Sequence, residues 1–562
     1  MIFVALSLRL TRQRSECSAD LEVGSRPAQA WLYFAVFPVH LKGPCPMTLL
    51  LQVSPHFGAL RHYLQSIGFN EKSICGRLRI PELPILLTRL RKGLAALTDA
   101  DEQSLVTRLL LLGESLNREV LESSLPSAAV DALISLGLVI PDAADVNRLV
   151  GSVVLYPVGS LFIVSDRWFA PDGKDYKAPD DIVYPAITPN TAEFMATLPV
   201  TPCGSFLELC SGTAAVALAA SAYSTHVWAI DITERSTQMA EFNRLLNGLE
   251  NVTVLKGDLY QGVEGLTFDR IVAHPPYMPV LSKAQIFYDG GADGEQITRR
   301  CVEALPRFLK PGGCFYCQAQ GSDRKGAPLE ARVRSWLGEH QHDFDIAVVE
   351  KRAQAPKDAA YIYSLKSKGG FDTVELMLES LAGLGVESMA YGWIIIQRKS
   401  DARDVFTVRR LAGLRTGPDE IAWLLRWETF VAAGASAALQ DMRPVARPSL
   451  ELRTVYRLKD GDLVPDQFTL HTDDPFSMDC KVQPWVSFLI PLCDGKLTVQ
   501  QLFEACQANR FIHAETPSQE FSELLGVLIS GGFLEVAEYR PPPTQGGKSI
   551  SQAADDLQDQ PL

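Results

Sequence analysis

Residues Phe206–Ala214 read F-L-E-L-C-S-G-T-A, an apolar run that carries Glu208 into a turn of small residues. The next apolar run, His226–Asp231, ends on an acid, and a third is followed by K-G-D-L-Y, which contains Asp258 and Leu259. Further on, Val272–Tyr277 reads V-A-H-P-P-Y. A strand, a glycine turn, a helix and then an acid at the tip of the next strand is how an α/β sheet holds an adenosine-bearing ligand. Gly212 allows close backbone approach, and Ser211 and Thr213 are small enough not to obstruct it. Glu208 is placed to attract an ammonium, Asp231 to accept from ribose hydroxyls, and Asp258 to accept from an adenine amine with Leu259 over the ring. Cys210 and Ile232 complete the ligand-binding set. A dinucleotide fits poorly: its pyrophosphate wants G-x-G-x-x-G at a helix N-terminus, whereas Cys210 and Ala215 occupy the first and third glycine positions.

The elements that must position these groups follow from alternating apolar runs and helical patterns, which predict a parallel sheet. Strands are expected at 205–209, 226–231, 252–256, 269–273, 313–319, 344–349 and 389–397, with a helix at 373–384 before the last. Upstream, Leu60, Tyr63, Leu64 and Ile67, and again Leu105, Leu109 and Leu112, recur at helical spacing. Two short helices between 116 and 139 meet near Ser123–Pro126, and β-rich runs at 149–156 and 160–164 form a hairpin. Downstream, 421–438 is helical, 450–458 is β-like, Thr498 caps a helix that buries Leu502 and Phe503, and 521–529 is a last helix.

The expected domains are therefore an N-terminal extension of poor order (1–50), a helical, winged-helix-like module (51–168), the sheet domain (180–400), a second such module (401–540) and a disordered tail (541–562). The natural start is expected near Met47. Residues 30–37 are apolar, but Pro38 stops them and no cleavage site follows, so a signal peptide is not expected.

Val272–Tyr277, with the loop Y-D-G-G-A-D-G-E at 288–295 and L-K-P-G-G at 309–313, resembles the class I methyltransferases with an Asn-Pro-Pro-Tyr motif. That group includes the release-factor glutamine and ribosomal RNA guanine N-methyltransferases, the "methyltransferase small domain". The likeness covers about 188–320 well and extends loosely to 398. It implies a Rossmann-like, seven-stranded methyltransferase domain and S-adenosyl-L-methionine as cofactor, with Glu208 facing the ammonium of its methionine moiety. It also implies a planar nitrogen as methyl acceptor. Such a nitrogen is a poor nucleophile, and acceptors on its N–H bonds must aim its lone pair. The family uses the Asn side chain and the first proline's carbonyl, with the aromatic residue stacked on the planar group. Pro275 and Tyr277 retain two of these catalytic parts. His274 replaces the Asn, and three readings stay open for it: a substituted acceptor or base, a shift to another acceptor atom, or a weakened site.

With 562 residues, 47% of them hydrophobic, and a net charge of −13, the chain is an ordinary globular protein and not a general coat for nucleic acid. A basic stretch (Lys72, Arg77, Arg79, Arg89, Arg91, Lys92) reads first as a solvated helix face. The eleven cysteines form no dense framework, which points to a reducing cytoplasm. Cys314 and Cys317 sit three apart on an expected strand and so face opposite sides; no metal site is expected. No apolar run is long enough to span a membrane. The acceptor is expected to be RNA or protein. A small-metabolite methyltransferase and a non-catalytic cofactor-binding scaffold are the alternatives, and the oligomeric state is left open.

Overall fold

The computed structural model describes residues 49–86, 89, 97–167, 179–282, 285–367, 370–434 and 436–539. The expectations for the N-terminal extension up to 48, the start near Met47 and the tail from 541 lie outside these residues, as do Arg91 and Lys92. The described chain falls into two compact units, 49–434 and 436–539.

The first unit is built on a mixed sheet. Its strands are β1 (Cys203–Leu209), β2 (Ser224–Asp231), β3 (Val252–Lys256), β4 (Phe268–Ala273), β5 (Leu309–Arg324), β6 (Phe344–Gln354), β7 (Val386–Arg398) and β8 (Thr407–Ala412). They lie in the order β3-β2-β1-β4-β5-β7-β6-β8. Neighbours from β3 to β5 are parallel, whereas β7 runs antiparallel to both β5 and β6. The order reverses at β1 and β4, and in such a sheet the crevice beyond the strand ends at that switch point takes the ligand.

Seven strands were expected, and β8, parallel to β6, makes an eighth. Its sequence T-V-R-R-L-A hides the usual apolar signature because its arginines are neutralised rather than solvated. Arg409 pairs with Asp323 at 2.7 Å and also with Glu330 and Glu350, and Arg410 pairs with Glu428 at 2.7 Å.

Six helices matter for the site: α1 (Pro189–Thr197), α2 (Ala215–Ala220), α3 (Glu234–Asn247), α4 (Gln296–Glu303), α5 (Pro356–Ser367) and α6 (Phe371–Gly383). α3 starts where the Thr233 side chain accepts from Ser236 N and stops at Gly248, whose φ of 66° ends the helix.

The N-terminal helices share one buried core with α2, α3 and the sheet. Phe57 meets Phe242 edge-on at 5.2 Å. The expected hairpin at 149–156 and 160–164 is corrected. The chain bends at Ser152, so Arg148–Gly151 pairs back onto Val139–Pro141 and Leu116–Asn117, while Val154–Val158 pairs with Leu161–Ser165. A Cβ on Gly151 would meet Leu109 O at 2.9 Å, so the close backbone packing beside the break requires glycine.

In the second unit, Glu451–Lys459, Asp462–Thr472 and Phe476–Val482 form an antiparallel sheet. Thr498 caps Val499–Ala508 reciprocally with Gln501, and Leu502 and Phe503 are buried.

Asn243 is the polar tie of the first unit. Fully buried, it accepts from Val164 N at 2.7 Å and donates to Val164 O at 3.1 Å and Thr213 O at 3.0 Å. Asn243→Ala strands those backbone groups and is expected to cost about 3 kcal/mol. The cost appears as a lower denaturant midpoint at unchanged slope; a loss below about 0.5 kcal/mol would contradict the bridging role.

Candidate active site

β1 is buried along Phe206–Leu209, and the chain then turns through Cys210, Gly212 and Ala214, which have φ of 56°, 54° and 60°. This backbone is held from the neighbouring strand. Ser211 N donates to Ile230 O at 3.0 Å, and Gly212 N donates to Asp231 Oδ2 at 2.9 Å. A Cβ on Gly212 would project into open space, which is the space a ligand takes.

Glu208 reaches under the loop, and its Oε2 accepts from Ala217 N at 2.7 Å on α2. It is 5% exposed and makes no ion pair among the described residues. Burial, offset by that N–H and reinforced by the Asp231 charge, pushes its carboxyl up to about 8. The buried Ser211 Oγ has no partner. The Cys210 thiol is held far above its ordinary value by burial, then by Cys301, Asp231, Asp258 and Glu208 around it.

Asp231 spends most of its acceptor capacity on protein, because Oδ1 takes Thr233 N at 3.1 Å and Oδ2 takes Gly212 N. Its shaping of the loop is therefore as direct as any ribose contact. Ile232 beside it is 48% exposed, an apolar rim. Gly257 N donates to Asp231 O at 2.9 Å, which ties the tips of β2 and β3 together. Leu259 is buried with φ of 55°. Asp258 instead meets Arg300 of α4 at 2.8 Å, a pairing that competes with the expected adenine contact.

Beyond β4 stands the His-Pro-Pro-Tyr tip. Loop 288–295 props it: Met278 N donates to Tyr288 O at 3.0 Å and Gly290 N to Met278 O at 2.9 Å. Gly294, at φ 76°, lies so close that a Cβ would meet Tyr277 O at 2.7 Å. Glu295 anchors the loop's end through Ser322 N at 2.7 Å and through Arg332. Pro275 is buried, while His274 and Tyr277 are half-buried. The His274 ring lies 5.3 Å from Phe194 and 5.9 Å from Tyr277, nearly parallel to the latter at 18°. Burial lowers its imidazolium to about 4. The ring is therefore neutral at pH 7 and keeps a lone pair.

Several neighbours of the tip escaped sequence reading. Asn190 Nδ2 donates to Tyr277 Oη at 3.1 Å, Gln318 Nε2 to Tyr391 Oη at 2.6 Å, and Trp393 Nε1 to Gln318 Oε1 at 2.9 Å. Helix α1 carries Asn190, Glu193 and Phe194 at i, i+3 and i+4, one face; only its start at Thr188-Pro189 was a signal. Cys314 and Cys317 both lie on β5, and burial raises the Cys314 thiol to about 12. Among the described residues no cluster of metal ligands occurs, and no helix is long and apolar enough to cross a membrane.

Residues 186–335 match the family described as the methyltransferase small domain. A release factor glutamine methyltransferase of Moorella thermoacetica is 33% identical over 138 residues, 22% of this chain and 48% of that protein. A ribosomal protein uL3 glutamine methyltransferase of Bradyrhizobium diazoefficiens is 30% identical over 125 residues, 20% of this chain and 39% of its own length. A release factor glutamine methyltransferase of Gloeobacter violaceus is 32% identical over 150 residues, 23% of this chain and 52% of its own length. The chain thus spans about half the length of the curated relatives it matches. The family's cofactor, S-adenosyl-L-methionine, suits the residues present: a buried carboxyl lacking a cation, an unpartnered hydroxyl and an open glycine turn.

The Glu208 shift gives a signed pH dependence. The folded apoprotein holds a proton that the unfolded chain has lost above about 4.5. Stability contributed by this group therefore falls as pH rises from about 4.5 towards 8. An ammonium favours the ionised form, so cofactor affinity is expected to rise between pH 6 and 8, with proton release on binding. Calorimetry in two buffers of different ionisation enthalpy checks this; Glu208→Gln should abolish the pH dependence.

Proposed function

We propose that this chain transfers a methyl group from S-adenosylmethionine to a planar nitrogen of a macromolecule, specifically a side-chain amide of a protein. The observation that carries the reading is the pairing of two features at adjacent strand tips. One is the Glu208–Gly212–Asp231 loop; the other is a Pro-Pro-Tyr tip held by Gly294 and Asn190. The relatives named above are glutamine methyltransferases of a release factor and of a ribosomal protein, which favours a protein acceptor over RNA. Arg77 of the basic stretch is already engaged by Asp101 at 2.8 Å, which also weakens the RNA reading.

In this reading Glu208 holds the ammonium, Asp231 the ribose, and Ser211, Gly212 and Thr213 line the methionine path. Cys210 forms the floor, and Ile232, Asp258 and Leu259 border the adenine. When bound, the cofactor supplies an electrophilic methyl group. The carbonyl of Pro275 accepts one N–H of the acceptor, and the Tyr277 ring covers its planar face. Burial raises the Tyr277 phenol to about 12, so it acts as a neutral surface. The His274 ring forms the side wall between Phe194 and Tyr277. We assign the flanking modules, winged-helix-like in their short helices and hairpins, to gripping the acceptor protein, and the chain to the reducing cytoplasm.

Two measurements test this. Calorimetry with S-adenosylmethionine should give one site per chain, weakened at least about tenfold by Asp231→Ala, the loss of roughly one charge-assisted hydrogen bond. Radiolabelled methyl should pass into purified release factor or uL3 and survive as methylglutamine on hydrolysis to peptides. Label found only in RNA or metabolite fractions would overturn the amide reading.

The pH profile gives a separate check on His274. With its ring neutral above about pH 5, turnover at saturating cofactor should show no inflection between pH 6 and 8 from this group. An inflection abolished by His274→Ala would restore the base role.

A further inference from the structure

An amide nitrogen has two N–H bonds, and Pro275 O accounts for one. Within the proposed function, the second acceptor is open, because His274 stands where the related motif has Asn. The structure holds an unused acceptor close by. Glu193 lies on the α1 face that bonds Tyr277 through Asn190 and touches His274 through Phe194. Its Oε2 is engaged by Lys351 at 2.5 Å. Its Oε1 is buried and has no hydrogen-bond partner among the described residues. Burial raises the hydroxyls of both Tyr277 and Tyr391, and the Glu193 charge adds to each shift.

A buried acceptor left unmade costs about 1–3 kcal/mol, so a group kept in that condition at a site is a candidate for a ligand's donor. Three other features offer less. The apolar face of the 451–472 hairpin has nothing on it to say what covers it. The Arg409 cluster and the Glu295 cluster are held by ion pairs within the fold.

We propose that Glu193, through Oε1, is the side-chain acceptor for the second N–H of the methyl-accepting amide, the job that the motif's Asn performs elsewhere, and that His274 serves as the neutral wall of the slot. The proposal rests on the amide reading above. As the C–N bond forms and the S–CH3 bond breaks, S-adenosylhomocysteine leaves with the electron pair and the methylated nitrogen sheds one proton to water; a carboxylate suits the task because the N–H grows more acidic during that step and a hydrogen bond to a carboxylate strengthens with it. Lys351, 2.5 Å from Oε2, fixes the orientation of the carboxylate, and Tyr277, tied by Asn190, keeps the planar group in register with it.

The test uses full-length protein, tritiated S-adenosylmethionine, and purified release factor and uL3 as acceptor probes, with S-adenosylhomocysteine affinity as the folding and cofactor control. Glu193→Ala should lower kcat about 100-fold, the cost of a mispositioned nucleophile, with S-adenosylhomocysteine affinity within about twofold of wild type. Glu193→Gln keeps an acceptor oxygen and should stay within about tenfold of wild type, the loss of charge assistance alone. His274→Ala should lose less than Glu193→Ala. A purely structural ion pair predicts otherwise: Lys351→Ala and Glu193→Gln would then fall as far as Glu193→Ala, and that result overturns the assignment. So does a Glu193→Ala enzyme as active as wild type. If wild type binds the cofactor but methylates neither probe, the amide reading fails and this assignment goes with it; an active wild type with an indifferent Glu193 removes this assignment alone.

Discussion

The hydrogen bond from Gly212 N to Asp231 Oδ2 joins the tips of two adjacent strands, and the shape of the whole pocket depends on it. The loop after β1 visits positive φ three times within five residues, twice at non-glycine positions. Each such visit costs of order 1 kcal/mol, so the loop needs an external hold. Asp231 supplies it from β2, and the next strand is tied in turn through Gly257 N. The acid that sequence reasoning assigns to the ligand is thus first a constraint on protein backbone. Its remaining lone-pair capacity is already aimed by the time a ligand arrives, which is what preorganisation means here.

The same loop is held from behind. Asn243 connects Thr213 O to the strand Leu161–Ser165, and Arg235 pairs with the buried Asp166 from the same helix face. The N-terminal helices therefore act on the pocket through α3 rather than by touching it. They share the sheet's core, so they are part of the site's support and not an appended module in the energetic sense. Across the sheet, α5 and α6 pack with Val280 just beyond the Pro-Pro-Tyr tip, and Tyr363 of α5 accepts from Leu281 N at 3.1 Å. The segment that follows the tip is thus packed against an insertion between β6 and β7.

Much of the sheet was legible because buried parallel strands are continuous apolar runs. F-L-E-L, V-W-A-I and I-V-A stand out, and the seven expected strands fall inside the observed ones. The last helix before β7 was expected at 373–384 and runs Phe371–Gly383. What escaped was held by paired charge or by distant contacts. β8 looks polar until its arginines find Asp323, Glu350 and Glu428. Asn243 carries no local pattern that marks it as a bridge. The break at Ser152 depends on Leu109 O across the module, a contact no window of sequence contains. Around the tip, His274 and Tyr277 could be read as a motif, but α1, Gln318 and Tyr391 arrive from three separate places in the chain.

That distribution bears on why His can stand where Asn is usual. An Asn there must both accept a hydrogen bond and fit the turn; the two tasks need not stay in one residue. Here the imidazole fills the turn, kept neutral by burial and flanked by Phe194 and Tyr277. A neutral ring in that position costs no charge desolvation. The acceptor role falls instead to Glu193, whose Oε2 pairs with Lys351 at 2.5 Å at the edge of the site. Separating the wall from the acceptor in this way lets the acceptor be anionic while the slot stays apolar, an arrangement a single side chain at position 274 could not provide.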